Sequence, residues 1–470
     1  MNSFFSSVLS VITSVLITLG FMQPPGPTVE FTDLANRDYN YEAQYIQPDA
    51  SKYVKITAPD MGYDIYTPTE GLSYGYRYGA SIITNADGSI DMWTAGLGDS
   101  QQWDWIFYKH SPDGGKNWTK EQIVLEPTPG SADFYSCCDP GVIKIGEYYY
   151  LGYTSTVHPD GIVNNVFVAR SLNPAGPYEK WNGNGWGGKP EAIVTYNGDP
   201  TTFGAGEPSF VVIKDKLYIY YTWRDGALNQ TRLSIADATD ENWPATMEYQ
   251  GVAIDHTFES EDSSDVKYIE DCGKFVAINT VNRFSEDSSI GIYVSDDGLN
   301  FKISNFMKTN TSHCCHNAGI SSRANGHILL EDDVFMVYAY GDIWGLWATR
   351  MHKVDISIIN SPDLYEYDNG TNVKTEIAFR EAIEYFDPIT ITVRPHEYEL
   401  ESGRIGEFVK VFKVNDDLER ERIYLNIRFS DYDEDVISVY GTYIIPKSAG
   451  QTYVTAEWNG YTSIFLVTVK

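Results

Sequence analysis

The feature that most constrains this chain is a hairpin pattern that recurs at a constant spacing. Each copy consists of an apolar run, a short polar turn and a second apolar run. In three copies an acidic residue stands 15 positions before a threonine: Asp139 before Thr154, Glu207 before Thr222, and Asp265 before Thr280. Apolar runs of strand length, rich in Val, Ile, Tyr and Phe and separated by Gly, Asp or Lys, are typical of paired strands. The pattern therefore predicts a repeated β-hairpin that carries an acid at one position in three copies.

Two weaker copies begin at Gly79 and Gly326 and bring the number of hairpins to five. Repeats at intervals of roughly 60 residues, each supplying one four-stranded sheet, are typical of β-propellers. The predicted fold class is therefore all-β, a five-bladed β-propeller followed by a small β-sandwich. The predicted blades cover residues 74–127, 136–196, 204–254, 262–307 and 316–358.

The segments outside the blades suggest five parts in the chain. Residues 1–22 include an apolar run from Phe4 to Met22 that is long enough to enter a membrane, and we interpret it as a signal peptide or anchor. Residues 23–70 form a linker with a strand, SKYVKIT, that can close the ring against the last blade. The propeller takes residues 71–358, a charged connector takes 359–388, and residues 389–470 resemble the bacterial immunoglobulin-like sandwiches appended to secreted enzymes. We therefore expect an extracellular protein, secreted or attached to the cell surface.

Charge and composition narrow the partners. The net charge of −31 argues against nucleic acid and anionic membranes, because binding phosphate requires the opposite sign. Aromatic residues make up 14% of the chain, which suits a protein that stacks on flat ligands such as sugars. We expect an oligosaccharide or polysaccharide substrate, no membrane contact beyond the N-terminal segment, and a monomer.

Two short motifs have structural explanations. Ser111, Asp113, Gly115 and Trp118 fit an Asp-box, in which the Asp caps a tight turn and the Trp fills a gap between strands. The HCCH segment from His313 to His316 matches no metal motif of known ligand geometry, so free thiols or a disulfide explain its cysteines better than a metal does.

The predicted topology brings the acids together. Both ends of each inner hairpin meet at one mouth of a propeller, so Asp139, Glu207 and Asp265 should converge there. Carboxyls placed close together raise one another's pKa, and glycoside hydrolysis uses one protonated and one ionised carboxyl. A calcium ion or a solvated acidic site is the alternative; we expect no required cofactor, with room for a structural calcium near the channel. The predicted substrate-binding residues are Arg77, Trp223, Arg224, His316, His327, Asp342 and Trp344.

The segments DPGVIKIGEYYYLGYT and GEPSFVVIKDKLYIYYT resemble the second and third blades of the five-bladed glycosidases of families 43, 32 and 62. The resemblance implies that Glu207 is the general acid and that Asp139 tunes the pKa of Glu207 and orients the sugar. It also implies that His327, in the Gly-His of the fifth blade, faces the channel. The implied activity is inverting removal of side-chain sugars, such as arabinofuranosides or xylosides, from polysaccharides.

The chain departs from that family in the first blade. Gly79 stands where family 43 enzymes carry their base, so the base must come from elsewhere, with Asp265 as the first candidate and Asp342 or Asp99 next. Two other interpretations stay open. The protein is a non-catalytic carbohydrate-binding surface protein, or it is a sialidase-like exo-glycosidase whose Arg77 binds a carboxylate.

Overall fold

The computed structural model describes residues 43–98, 103–382 and 386–470, so the predicted signal peptide or anchor and Asp99 lie outside the described residues. Strands dominate throughout. Among these residues no helix has the length and apolar character needed to cross a membrane. The only α-helix of the described part, α1, is short and spans Tyr365–Asn369.

The two N-terminal strands belong to the last blade. Strand β1 (Tyr53–Thr57) pairs antiparallel with the end of a long strand near residue 359, and β2 (Tyr63–Tyr66) pairs with an earlier part of the same strand. The side chains of Val54 and Ile56 are fully buried, since alternate residues of this strand face the core. The N-terminal and C-terminal ends of the propeller are thereby joined in one sheet.

The first four blades each contain four antiparallel strands in chain order, and in blade four a further short strand, described below, pairs in parallel with the innermost strand. Blade one contains β3 (Arg77–Thr84), β4 (Ile90–Leu97), β5 (Asp104–Ser111) and β6 (Gln122–Leu125). Blade two contains β7 (Cys138–Ile145), β8 (Tyr148–Ser155), β9 (Asn165–Ser171) and β10 (Glu179–Lys180). Blade three contains β11 (Gly204–Ile213), β12 (Lys216–Asp225), β13 (Leu228–Asp237) and β14 (Glu248–Asp255). Blade four contains β15 (Asp265–Ile269), β16 (Lys274–Val281), β17 (Ser289–Ser295) and β18 (Lys302–Met307).

Blade five is closed by the N-terminal strands. It contains β19 (Cys315–Ile320), β21 (Val334–Ile343) and β22 (Leu346–Ile359), with β1 and β2 along its outer side. The innermost strands β3, β7, β11, β15 and β19 contact one another in cyclic order around a central channel. The predicted fold class, a five-bladed propeller, is confirmed.

One end of this channel is closed by the chain between β19 and β21, which includes the short strand β20 (His327–Ile328). Its carbonyls accept hydrogen bonds from the ends of the four other inner strands: Thr84 N to Ser322 O (2.8 Å), Lys144 N to Ala324 O (2.8 Å), Val212 N to Asn325 O (3.1 Å) and Tyr268 N to Gly326 O (3.0 Å). We call this side the closed end and the opposite side the mouth. A ligand can therefore reach the inner strands from the mouth.

The predicted Asp-box is a capped turn. Asp113 accepts a hydrogen bond from Asn117 N at 2.8 Å, and the Ser111 hydroxyl accepts one from Gly115 N at 2.7 Å. These bonds stabilise the loop between β5 and β6 without any contact to the mouth, so the structural interpretation of the motif is confirmed.

The C-terminal strands form three small sheets around a separate core. Its strands are β23 (Thr390–Val393), β24 (Glu397–Leu400), β25 (Glu407–Phe408), β26 (Val411–Val414), β27 (Arg420–Ile423), β28 (Arg428–Ser430), β29 (Ile437–Tyr440), β30 (Tyr443–Pro446), β31 (Gly450–Trp458) and β32 (Tyr461–Val469). Ile391, Val411, Val454 and Phe465 are fully buried between the sheets. This is the small sandwich expected; its likeness to immunoglobulin modules stays a prediction.

Candidate active site

A cavity of about 440 Å³ opens at the mouth of the propeller channel. Its volume lies in the range of small-molecule sites, and its walls combine aromatic rings with a few polar groups, as such sites usually do. The aromatic residues lining it are Tyr74, Tyr76, Tyr78, Trp103, Phe203, Phe284, Trp344 and Trp347. Its acids are Asp104, Asp139, Asp160 and Glu207, and it is also lined by Arg283, His316 and Asn317.

A shared irregularity in the inner strands presents the central polar residues. In blades one, two, three and five the pairing register shifts at Gly79, Asp139, Glu207 and Asn317, and each of these residues has a positive φ, between 46° and 60°. For residues other than glycine this left-handed conformation is uncommon and costs roughly 1 kcal/mol or more. Three side chains are thus held in an unfavourable backbone geometry at one place, which is typical of functional sites.

Gly79 explains how blade one accommodates the acid of blade two. A Cβ at Gly79 would lie 3.3 Å from the Cα of Asp139 and 3.5 Å from its Oδ1. The space that a first-blade side chain would need is therefore next to the Asp139 carboxyl.

Glu207 is the most unusual carboxyl of the mouth. It is 9% exposed, its backbone N donates to Thr154 Oγ1 at 2.6 Å, and its Oε1 lies 3.5 Å from Asn317 Nδ2. Its Oε2 finds no hydrogen-bond partner among the described residues. Burial and the neighbouring Asp262 and Asp139 raise the pKa of Glu207 to about 8. At neutral pH this carboxyl is mainly protonated and has a proton to donate.

Asp262 is the ionised partner in this cluster. Its side chain is fully buried, its carboxylate forms an ion pair with Arg283, and it accepts a hydrogen bond from Asn317 N at 2.9 Å. Burial alone would raise the pKa of Asp262, but Arg283 and Arg224 hold it below its usual value. A negative charge is thus fixed beside Glu207, which keeps the proton on Glu207.

Asp139 has an intermediate character. It is 8% exposed, and burial together with Asp104 and Asp262 raises its pKa to about 7. Asp139 and Glu207, on adjacent blades, both line the cavity. The predicted convergence of Asp139 and Glu207 at the mouth therefore describes their position correctly.

Asp265 does not hold the position predicted for it. It lies opposite Ile278, two residues deeper in the channel, where Ser209 stands in blade three opposite Tyr220. The reason is the turn: Ile269 pairs with Lys274 across four residues, whereas Ile213 pairs with Lys216 across two. Equal spacing along the chain therefore gives unequal depth in the sheet.

The Asp265 carboxylate is already engaged within the channel. It forms an ion pair with Lys267, accepts the Ser209 hydroxyl at 2.8 Å, and accepts Ile320 N at 2.8 Å. It borders only a narrow space of about 30 Å³ below the cavity. The prediction of Asp265 as the base is wrong in its register, and Asp262, missed by the spacing argument, is the blade-four acid beside Glu207.

Several predicted substrate-binding residues lie elsewhere. The Arg77 guanidinium is 2.9 Å from Glu121 Oε2 and packs on the Phe107 ring, so the buried ion pair takes it away from the mouth. His327 lies at the closed end, with Nδ1 2.6 Å from Glu270 Oε1 and Nε2 2.5 Å from Val212 O. The prediction of His327 as a substrate-binding residue that faces the channel is wrong, because both ring nitrogens are bonded inside the fold.

Trp223, Arg224 and Asp342 are close to the mouth but do not line the cavity. Trp223 packs on Tyr196 at a ring distance of 4.9 Å, and Asp342 is exposed on the outer part of the rim. Arg224 donates a hydrogen bond to Glu261 O at 2.7 Å, and its guanidinium lies 4.0 Å from the Asp262 carboxylate. It therefore lowers the pKa of Asp262 without lining the cavity.

Two predicted residues, His316 and Trp344, do line the cavity. Trp344 is 61% exposed at its rim. The His316 ring is 1% exposed and packs against Phe284 and Trp347. Neither of its nitrogens has a hydrogen-bond partner among the described residues, and burial lowers its pKa to about 3, so the ring is neutral.

The five cysteines are free thiols. In the described residues no group of three or more His, Cys, Asp or Glu side chains is arranged to hold a metal ion. The channel calcium stays a prediction.

Comparison with known proteins adds similarity in fold. No protein-family model matches the chain, and no curated protein matches it. A family 117 glycoside hydrolase from the marine bacterium Zobellia galactanivorans is 17% identical, with 70% of this chain and 97% of that chain covered and a TM-score of 0.46. An α-L-arabinofuranosidase from Podospora anserina is 13% identical over 65% of this chain and 98% of that chain, with a TM-score of 0.46. A thermostable family 43 glycoside hydrolase is 14% identical over 68% of this chain and 100% of that chain, with a TM-score of 0.41. With identities of 17% or less and TM-scores below 0.5, these similarities carry no conclusion about the reaction of this protein.

Proposed function

We propose that this protein is a glycoside hydrolase that removes a terminal or side-chain sugar from an oligosaccharide or polysaccharide, with Glu207 as the general acid. The observation that carries the proposal is the buried Glu207 carboxyl in the aromatic cavity, near an Asp262 whose charge is paired with Arg283; this environment raises the pKa of Glu207 to about 8. A carboxyl that keeps its proton at neutral pH can protonate the oxygen of a leaving group, which is the demanding half of glycoside cleavage.

The surroundings of Glu207 suit a neutral sugar. Aromatic rings on several sides of the cavity offer flat apolar faces for the C–H faces of a sugar ring. Among the residues that the structure describes, Arg283 is the one guanidinium that lines the cavity, and it is already paired with Asp262. An anionic sugar would meet several carboxyls without a free cation, so we expect neutral pentosides or hexosides to be preferred.

The closed end of the channel favours attack on a chain end or branch. Because the inner strands are sealed by residues 321–328, a polysaccharide cannot thread through the propeller. Arabinofuranosides and xylosides are the substrates we propose first, cleaved with inversion by a monomer outside the cell.

The sialidase-like alternative has little support. It required Arg77 to bind a carboxylate, and Arg77 is buried in its pair with Glu121. The non-catalytic alternative gives no role to the raised pKa values of Glu207 and Asp139, which a catalytic acid would use.

The decisive experiment measures product release from a panel of aryl arabinofuranosides, xylosides, galactofuranosides and a sialoside. Wild-type protein is compared with Glu207→Gln, and Asp342→Asn serves as a control that removes an exposed carboxyl from the rim. We expect hydrolysis of a neutral glycoside with a poor leaving group to fall by about 10²–10⁴-fold in Glu207→Gln. The loss should be much smaller for a dinitrophenyl glycoside, because that leaving group needs no proton. Absence of hydrolysis of every substrate by the wild type would overturn the proposal and leave the carbohydrate-binding alternative.

A further inference from the structure

The inner strand of blade one lacks an acid, yet the same blade brings a carboxyl to the cavity from another strand. Asp104 is the first residue of β5 and pairs with Leu97 at the mouth end of the sheet. It is 6% exposed and lines the cavity that Glu207 also lines. The candidates named from the sequence did not include it.

Hydrogen bonds fix both the carboxyl group and the backbone of Asp104. Tyr76 donates its hydroxyl to Asp104 Oδ1 at 2.8 Å, and Tyr78 donates to Oδ2 at 2.9 Å. The backbone carbonyl of Asp104 accepts Cys137 N at 2.8 Å, which fixes the strand to the start of blade two. Tyr78 directly precedes Gly79, the position at which blade one lacks an acid, and its hydroxyl bonds to Asp104.

We propose that Asp104 is the general base of the glycosidase reaction, substituting for the acid that blade one lacks at Gly79. The inference rests on the proposed function. In the reaction Asp104 takes a proton from water as the water oxygen bonds to the anomeric carbon. The bond from that carbon to the leaving oxygen breaks, and the leaving oxygen takes the proton of Glu207.

The other acids near the cavity fit this role less well. Asp262 does not line the cavity, and its ion pair with Arg283 lowers its pKa, which makes it a weak base. Asp139 and Glu207 stand at the bulge positions of adjacent inner strands and line the same narrow space of about 30 Å³, so the two residues are close neighbours. An inverting pair needs roughly 6.5–9.5 Å between carboxyls to admit water. Asp160 is exposed in the loop after β8, and its carboxylate lies 3.8 Å from His158 Nδ1, so it stands in solvent and not in a buried, fixed position.

The protonation state of Asp104 agrees with the role. Burial raises its pKa to about 6, while the two tyrosine hydroxyls lower it. Glu207 keeps its proton up to about pH 8. Between these values the base is ionised and the acid is protonated, so kcat/KM should be bell-shaped with limbs near pH 6 and pH 8.

The test compares Asp104→Asn with Asp139→Asn on an aryl glycoside that the wild type hydrolyses, with and without sodium azide. We expect Asp104→Asn to lower kcat by about 10²–10⁴-fold. Azide, which attacks without losing a proton, should restore at least a tenfold gain and yield a glycosyl azide of inverted configuration. Asp139→Asn should show no azide product.

A second variant separates a base from a structural carboxyl. Tyr78→Phe removes a hydrogen bond that lowers the pKa of Asp104, so the acidic limb of kcat/KM should move to higher pH. Azide rescue of Asp139→Asn instead of Asp104→Asn, or an acidic limb that Tyr78→Phe leaves in place, would overturn the assignment of Asp104. Wild-type protein that hydrolyses nothing would instead overturn the proposed function, and the base with it.

Discussion

The two ends of the propeller channel place the same pair of residue types, a buried histidine and a buried glutamate, in opposite situations. At the closed end His327 and Glu270 bond to each other, and the second ring nitrogen reaches Val212 O. At the mouth neither nitrogen of His316 has a partner among the described residues, and neither has Glu207 Oε2. Buried polar groups in folded proteins are nearly always paired, and because His316 and Glu207 both line the cavity, a ligand bound there can supply the missing partners.

The difference shows that burial alone does not identify a site. All four side chains are 9% exposed or less. At the closed end the hydrogen bonds hold the chain between β19 and β21 against the inner strands and stabilise the propeller. At the mouth, aromatic packing holds the His316 ring and the backbone geometry holds Glu207. Both side chains keep hydrogen-bonding capacity for a ligand.

The largest effect should come from the closed end. His327→Ala removes a fully buried ring, leaves Glu270 Oε1 and Val212 O without this partner, and creates a cavity. We expect the free energy of unfolding to fall by about 3 kcal/mol, measured by urea denaturation. The activity per folded molecule should stay at the wild-type level. Unchanged stability together with lost activity would show that the comparison between the two ends is wrong.

The next effect concerns pH and the mouth. The pKa of Glu207 is raised from an ordinary 4.5 to about 8, so between these values the folded chain binds a proton that the unfolded chain has released. Its contribution to stability is complete below pH 4.5 and is lost as pH rises through 8, with a slope of at most about 1.4 kcal/mol per pH unit.

Glu207→Gln should remove this slope. Its melting temperature should therefore rise relative to the wild type between pH 5 and pH 8, even though the variant is inactive. Parallel stability curves for the two proteins over this range would mean that Glu207 is not protonated in the folded state. Asp342→Asn is the control for removing a carboxyl from the rim.

The sequence was sufficient for the architecture because the hairpin repeat is a local pattern. Alternating apolar runs such as those of β11 and β12 predict paired strands wherever they stand, and five copies predict five blades. Glu207 and Asp139 were found by the same pattern, since two-residue turns connect both of their hairpins and equal spacing gives equal depth.

The rest of the site depends on features that the spacing does not report. The four-residue turn Glu270–Gly273 shifts the register of blade four. The spacing therefore predicted Asp265 at the mouth, whereas Asp262 is the blade-four acid beside Glu207. The only available signal was the DCG in that turn, with Gly273 in a left-handed conformation. Asp104 had no signal at all, because its importance comes from Tyr76 and Tyr78, which lie just before and within β3. Long-range pairing of Arg77 with Glu121 was equally invisible in the sequence.

The smallest expected effect tests the unpaired histidine of the mouth. His316→Phe keeps a ring against Phe284 and Trp347 but removes both nitrogens. If these nitrogens bond a sugar hydroxyl, kcat/KM should fall by about tenfold, the equivalent of one hydrogen bond of about 1.4 kcal/mol. The free energy of unfolding should not fall, because the substitution removes buried polar atoms that the protein leaves unpaired. A loss of stability with unchanged kinetics would instead give His316 the structural role that His327 has, and the contrast between the two ends would then rest on Glu207 alone.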